Sequence, residues 1–297
     1  MEGTRSVSLP ARYCGRDFSD GDLETIRRLC ASLPTRRAIA DALCDELSWY
    51  RPDGRRKDMS ARVALVRMEA DGLLRLPAPR NGNGNGRIAR YEPPDGQLEL
   101  FVSSMPERLS AVELVVANDQ ASRARWRRLV ACHHYLGYTN FAGAQLRYLV
   151  QWGTEVIGAL GFAASAWSCG PRDDHIGWDR PTREARLHLV VGNARFLIVP
   201  EVRVKNLASF VLGAAARRLP GDWVSAYGYA PVLLETFVER GRFVGTSYKA
   251  ANWIYVGMTK GRGKLDRENR HALSVKDVYL YPLRRDYRHV LADRLES

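Results

Sequence analysis

The chain has 297 residues, 45% of them apolar and 26% charged, which is enough to build one large or two smaller domains around a full core. Met1 to Asp20 lacks the continuous apolar run of a secretion signal, and nothing later approaches the roughly 18 consecutive apolar residues of a membrane span. A cytoplasmic protein is therefore expected, while a formal net charge of +12 suits a phosphate-rich partner.

Residues 22–77 predict three helices and a short strand. Asp22 is the expected N-cap of the first helix, through Ala31, and Thr35 that of a second burying Ile39, Leu43 and Leu47. In the third, Met59, Val63, Val66, Ala70 and Leu73 recur at helical spacing and predict its buried face, before Gly72 ends it and "LLRLP" continues as a strand. That order is the order of a winged helix-turn-helix, whose third helix enters the major groove. Arg55, Arg56 and Lys57 just before this helix, with Arg62 and Arg67 on it, are candidate DNA contacts. A helical bundle used for protein contacts is the competing reading.

"APRNGNGNGR", residues 78–87, alternates Asn with Gly and reads as a linker, which places a boundary near residue 80 and makes 81–109 a linker with a connecting strand in "LELFVSS". Beyond it, helix and strand alternate. "RLSAVELVVA" is a strand, "DQASRARWRRLVACHHYLG" a helix, and "GAQLRYLVQWG" with "TEVIGALGFAAS" paired strands around Gly153. "LHLVVGNARFLIVP" is a turn and a strand, "LASFVLGAAARRLP" an apolar helix, "APVLLETFV" a strand, and "TSYKAANWIYVG" a helical turn leading into another. The expected class is α/β (α+β): a helical N-terminal module, then a mixed-sheet domain over 110–297.

Over half of the positive excess lies in residues 240–297, which hold thirteen Lys and Arg against six Asp and Glu. Lys260, Arg262 and Lys264 alternate with glycines, so a sharp turn can offer both N–H groups and cations to phosphate, and Lys249 lies just upstream. Tyr248, Trp253 and Tyr255 add the aromatic interleaving that stacks unpaired bases, although Trp253 also suits the core. Arg172, Asp173, Asp174 and His175 form a charged cluster expected on a loop. Asp173 with Glu235 could hold Mg²⁺ for phosphodiester cleavage, and His133 is a further catalytic candidate. A salt-bridged or buried structural role for these carboxylates is the alternative. Five cysteines without CxxC pairs argue against a disulfide framework or structural zinc.

The strand "RFLIVPEV", the segment "RVKNLA" and the helix "SFVLGAAARRL" fall in an order that resembles the acyl-CoA N-acetyltransferase (GNAT) fold. That resemblance implies acetyl-CoA phosphates at Arg203, Asn206 and Ala208, with Asn206 standing where the family's loop carries glycine. Arg203 and Lys205 also serve as candidate nucleic-acid contacts. As whole motifs, "HHYLGYTNFAGAQLRYLV", "ALGFAASAWSCGPRDDHIGW", "VVGNARFLIVPEVRVKNLASFVLG", "YGYAPVLLETFV" and "GTSYKAANWIYVGMTKGRGK" resemble the DruA family of the Druantia anti-phage defence system. Similar modules occur within or beside insertion-sequence transposases. The resemblance implies a protein that engages DNA, alone or with other defence or transposition proteins. DNA processing by a transposase or metal-dependent nuclease, and acyl transfer, are the alternative activities.

Overall fold

The computed structural model describes residues 11–79, 108–261 and 273–293, and the chain divides into two units, 1–88 and 89–297. In the first, strands β1 (Ala11–Tyr13) and β2 (Arg16–Phe18) pair around Cys14 and Gly15, both at positive φ. Helix α1 (Asp20–Ser32) starts earlier than expected. Its N-cap is Ser19, whose hydroxyl accepts the Asp22 N–H at 3.2 Å while the Asp22 carboxylate accepts the Ser19 N–H at 2.9 Å. Asp22 is thus the partner in a capping box rather than the cap. Helix α2 (Arg36–Glu46) is capped by Thr35, as its sequence predicts, and buries Ile39, Ala40, Leu43 and Cys44.

Helix α3 (Asp58–Ala70) turns the other way from the sequence expectation. Ala61, Ala64, Leu65 and Met68 are buried, whereas Met59, Val63 and Val66 are 54%, 39% and 48% exposed. Both sets have helical spacing, so periodicity alone could not choose between them. Small side chains decide it, because Ala61 and Ala64 permit the close approach of the neighbouring α2. The strand expected at residues 73–77 has no regular structure. Glu69 accepts the Leu76 N–H at 2.9 Å and Arg36 donates to the Pro77 carbonyl at 2.7 Å, so side chains meet backbone groups that a ladder would otherwise pair. Pro77 and Pro79 also lack donors. Among the described residues the hairpin of this unit precedes its helices.

The second unit is a mixed α/β domain, as expected. Its elements are β3 (Val112–Val116), α4 (Gln120–His133), β4 (Gln145–Trp152), β5 (Glu155–Ala164), α5 (Gly170–Ile176), α6 (Arg180–Arg186), β6 (Val190–Ile198), α7 (Leu207–Tyr227), β7 (Leu233–Glu239), α8 (Thr246–Ala250), β8 (Ile254–Met258), β9 (Lys276–Pro282) and α9 (Tyr287–Ala292). Among the described residues the sheet order is β3-β4-β5-β6-β7-β9-β8, antiparallel throughout except for the parallel pair β6/β7. Consecutive side chains of a strand face opposite ways, and β4 shows which helix covers which face. Arg147 lies over the Trp126 ring of α4, while the Tyr148 hydroxyl donates to Asp222 of α7 at 2.9 Å. Trp126, Tyr148, Phe162, Leu212 and Trp223 are central to the core. α7 runs through Pro220 instead of stopping there: burial of Leu219 and Trp223 on either side offsets the roughly 3 kcal/mol a mid-helix proline costs. Residues 170–176, expected as a loop, are helical, with Pro171 at the first turn and Gly177 at φ 80 as the cap.

β6 and β7 are paired only over Val190–Gly192 and Leu233–Glu235. Beyond that point the ladder ends and the strands splay. The Asn193 carbonyl accepts the Thr236 hydroxyl at 3.1 Å instead of a strand N–H. Among the described residues no helix is long and apolar enough to cross a membrane. The five cysteines are free.

Candidate nucleic-acid interface

Because β6 and β7 are parallel and β9 is antiparallel to both β7 and β8, the strands β6, β7 and β8 all point the same way. The segments that follow them therefore emerge at one end of the sheet. In open sheets with parallel pairs such an end, where the chain diverges to either side, is where ligands are held. After β6 come Arg203 and Lys205, after β7 Arg242, and after β8 Lys260; Lys249 is on α8, the helix over the splay. All five are exposed. Among the described residues Arg203, Lys205, Arg242 and Lys249 make no ion pair. Gly261 has φ 70, as a sharp turn after Lys260 requires. The expected contacts Arg262 and Lys264 lie outside the described residues.

The start of α7 adds backbone donors to this rim. Asn206 sits in the left-handed region at φ 64, the conformation that glycine or asparagine adopts most readily, and its side chain makes no capping bond. The Phe210 N–H is the first to reach the Asn206 carbonyl, at 2.9 Å, so the N–H groups of Ala208 and Ser209 have no backbone acceptor among the described residues. With the helix dipole and the two cations beside them, these residues fit a phosphate group. Where the β6/β7 ladder ends, the Tyr248 hydroxyl donates to Asn193 Oδ1 at 2.7 Å, Thr236 Oγ1 lies 3.3 Å from that hydroxyl, and Phe196 packs against the Tyr248 ring. Burial holds the Tyr248 phenol well above its usual range, so it stays a neutral donor.

Aromatic rings flank the cations. Tyr135, just beyond the end of α4, packs edge to face on Phe243 of the β7–α8 segment with centroids 5.1 Å apart, and the Arg242 guanidinium lies 4.9 Å from the Tyr135 centroid. His134 stacks on Tyr135. Arg195 of β6 holds the following turn, donating to the Gly137 carbonyl at 3.1 Å and Thr139 Oγ1 at 2.9 Å. Burial, reinforced by Arg195, lowers the His134 imidazole to about 4, and its Nδ1 accepts the Leu136 N–H at 3.2 Å. Arg242, Tyr135 and Phe243 are not singled out by the sequence reading. For Arg242 and Phe243 a signal is nevertheless present in "GRFVG", residues 241–245, where glycines at φ 83 and 71 frame a cation and an aromatic ring.

The structure brings Asp173 and Glu235 together, around a guanidinium. Arg172, fully buried, donates to Glu235 Oε2 at 2.8 Å and pairs with Asp173 Oδ1 at 2.8 Å. Arg183 approaches the other Asp173 oxygen at 3.2 Å, and the Ala166 N–H donates to Glu235 Oε1 at 2.7 Å. Burial pushes the Glu235 carboxyl up, against the pull of Arg172. Both acids are thus committed where a metal would need them open, and among the described residues no group of three or more His, Cys, Asp or Glu is placed to hold a metal ion. His133 ends α4, beside the Tyr135 turn, and among the described residues it is not joined to this network and its buried Nε2 has no hydrogen-bond partner.

In the first unit two of the five expected DNA contacts are engaged by acids. Arg56 makes a bidentate pair with Asp45, both distances 2.6 Å, and Arg62 pairs with Asp58 at 2.5 Å. Lys57 is half-buried, and desolvation with the nearby Arg16 and Arg51 lowers its pKa. Arg55 and Arg67 are exposed and make no ion pair among the described residues.

Solved structures similar to this chain are acetyltransferases. A GNAT-family acetyltransferase from Bacillus cereus aligns at 11% identity, covering 46% of this chain and 69% of its own, with a TM-score of 0.28. An acetyltransferase from Salmonella typhimurium that modifies the N-terminal serine of a ribosomal subunit protein aligns at 13% identity, covering 58% and 95%, with a TM-score of 0.38. A ribosomal-protein alanine N-acetyltransferase from Escherichia coli aligns at 7% identity over 58% and 94%, also with a TM-score of 0.38. Scores this low carry nothing about activity. No curated protein matches the chain. The family model for Druantia protein DruA matches residues 100–272, more than half of the sequence and all of the segment from β3 to Lys260. This chain belongs to the Druantia DruA family.

Proposed function

We propose that this protein engages DNA in anti-phage defence, gripping the phosphate backbone at the rim formed by the ends of β6, β7 and β8. Family membership supports the defence setting. The observation that carries the DNA reading is the set Arg203, Lys205, Arg242 and Lys249, exposed without ion pairs among the described residues, the first two immediately preceding α7. Cations left without acids lower their free energy by replacing the condensed counterions of a polyanion. Arg55 and Arg67 make the first unit a second, weaker contact, and covalent connection to the second unit raises their effective concentration at DNA already held by the rim. The cytoplasm is the matching location. A metal nuclease or transposase reading is less favoured, because Asp173 and Glu235 are spent on Arg172. Acyl transfer is the second alternative and would use the same α7 start.

The test is titration of a fluorescent duplex with the full chain and with a variant carrying Arg203→Ala, Lys205→Ala and Arg242→Ala. The expected result is a large loss of affinity at low salt with unchanged thermal stability. Equal affinity would contradict the proposal.

A further inference from the structure

Phosphate contacts explain why a polyanion binds but not why aromatic side chains stand open among the cations. Phe243 is 47% exposed and its neighbour Val244 74%, costly positions for apolar side chains that serve only packing. Phe243 is nevertheless not loose. Its edge is held by Tyr135, which is braced by the stacked His134 and by Arg242 above its ring. His134, at about 4, is neutral near pH 7, so the stack adds no charge of its own. Gly241 and Gly245, both at positive φ, fix the turn that presents the ring. An exposed ring next to Arg242, at the sheet end from which Arg203 and Lys205 also emerge, combines a π-face with phosphate-neutralising charge.

We infer that Phe243, positioned by Tyr135, is a stacking platform for an unpaired nucleobase, so that the rim takes single-stranded nucleic acid or a strand opened at a junction. The ring sits among cations rather than in an apolar groove, which argues for a nucleic acid over an apolar protein segment. The inference rests on the phosphate-binding reading of the rim and adds which form of nucleic acid it selects. Each base stacked on an aromatic ring contributes enough to change affinity by about five-fold to a hundred-fold.

The experiment compares three probes of equal phosphate number on the full chain: an oligothymidine, the same backbone with abasic sites, and a blunt duplex. Phe243→Leu keeps an apolar side chain and removes the ring, and Phe243→Trp keeps a ring. Expected is oligothymidine binding weakened about five-fold to a hundred-fold by Phe243→Leu and kept by Phe243→Trp, with abasic and duplex binding unmoved by either. If Phe243→Leu leaves oligothymidine affinity unchanged while the wild type binds duplex, the stacking inference falls and the phosphate reading stands. If the wild type binds none of the probes, both fall.

Discussion

At the residue scale, two ionisable sites set apart stability from recognition. Glu235 is wholly enclosed and accepts from Arg172 and the Ala166 amide, so removing it strands a guanidinium in the core. Glu235→Ala should destabilise the second unit by about 3–5 kcal/mol, because breaking one half of a buried pair leaves the other charge uncompensated. Urea denaturation checks this, and a loss under about 1 kcal/mol would show the pair to be dispensable. Asp173 and Glu235 are legible from sequence as candidates, but neither their approach nor Arg172 as the group between them is, since spacing along the chain does not show contact and a buried cation has no spacing rule of its own. His134 makes the second case. Its folded-state pKa of about 4 lies below the ordinary 6.5, so the unfolded chain takes up a proton that the folded chain refuses. Stability conferred by this group is complete above pH 6.5 and declines as pH falls toward 4. His134→Gln should remove about 1–3 kcal/mol of that acid-dependent decline, after allowance for solvent screening. The check is the difference in urea midpoint between neutral and mildly acidic buffer; an identical difference in the two proteins would contradict it.

At the element scale, what the sequence reveals depends on how many forces agree. Thr35 before α2 and the paired strands around Gly153 are legible because cap or turn chemistry and apolar pattern point the same way. α3 escapes such a reading because two apolar stripes compete on one helix, and only packing against α2 chooses between them. The strand expected after α3 does not form because side chains of Glu69 and Arg36 take its backbone groups, a long-range effect absent from local propensity. Gly161 shows a further constraint that no local pattern records. A Cβ there would meet Phe141 at 2.7 Å and Trp126 at 2.9 Å, so the residue is small to let the 134–144 segment lie on the sheet. Gly161→Ala should cost about 1–3 kcal/mol by overpacking. Because the same segment carries Tyr135, the substitution should also raise hydrogen exchange at Tyr135 and Leu136; unchanged stability and exchange would show that the ring can yield without cost.

At the scale of the whole molecule, the basic surplus of the last fifth of the sequence becomes intelligible through topology. Three strands with a common direction deliver Arg203, Lys205, Arg242 and Lys260 to one end, though they are far apart along the chain. Lys205 and Lys260 are individually legible as candidates; their convergence is not, because it depends on the parallel pairing of β6 with β7, the one such pair among the described residues. The first unit contributes less than its Arg and Lys content suggests, since Asp45 and Asp58 neutralise Arg56 and Arg62. The most direct test of the rim is the slope of log affinity against log salt for duplex DNA, measured for wild type and for the variant lacking Arg203, Lys205 and Arg242. Every phosphate that these cations no longer neutralise should flatten the slope by about 0.9, so the triple variant is predicted to flatten it by about 2–3; parallel lines for the two proteins would contradict the account.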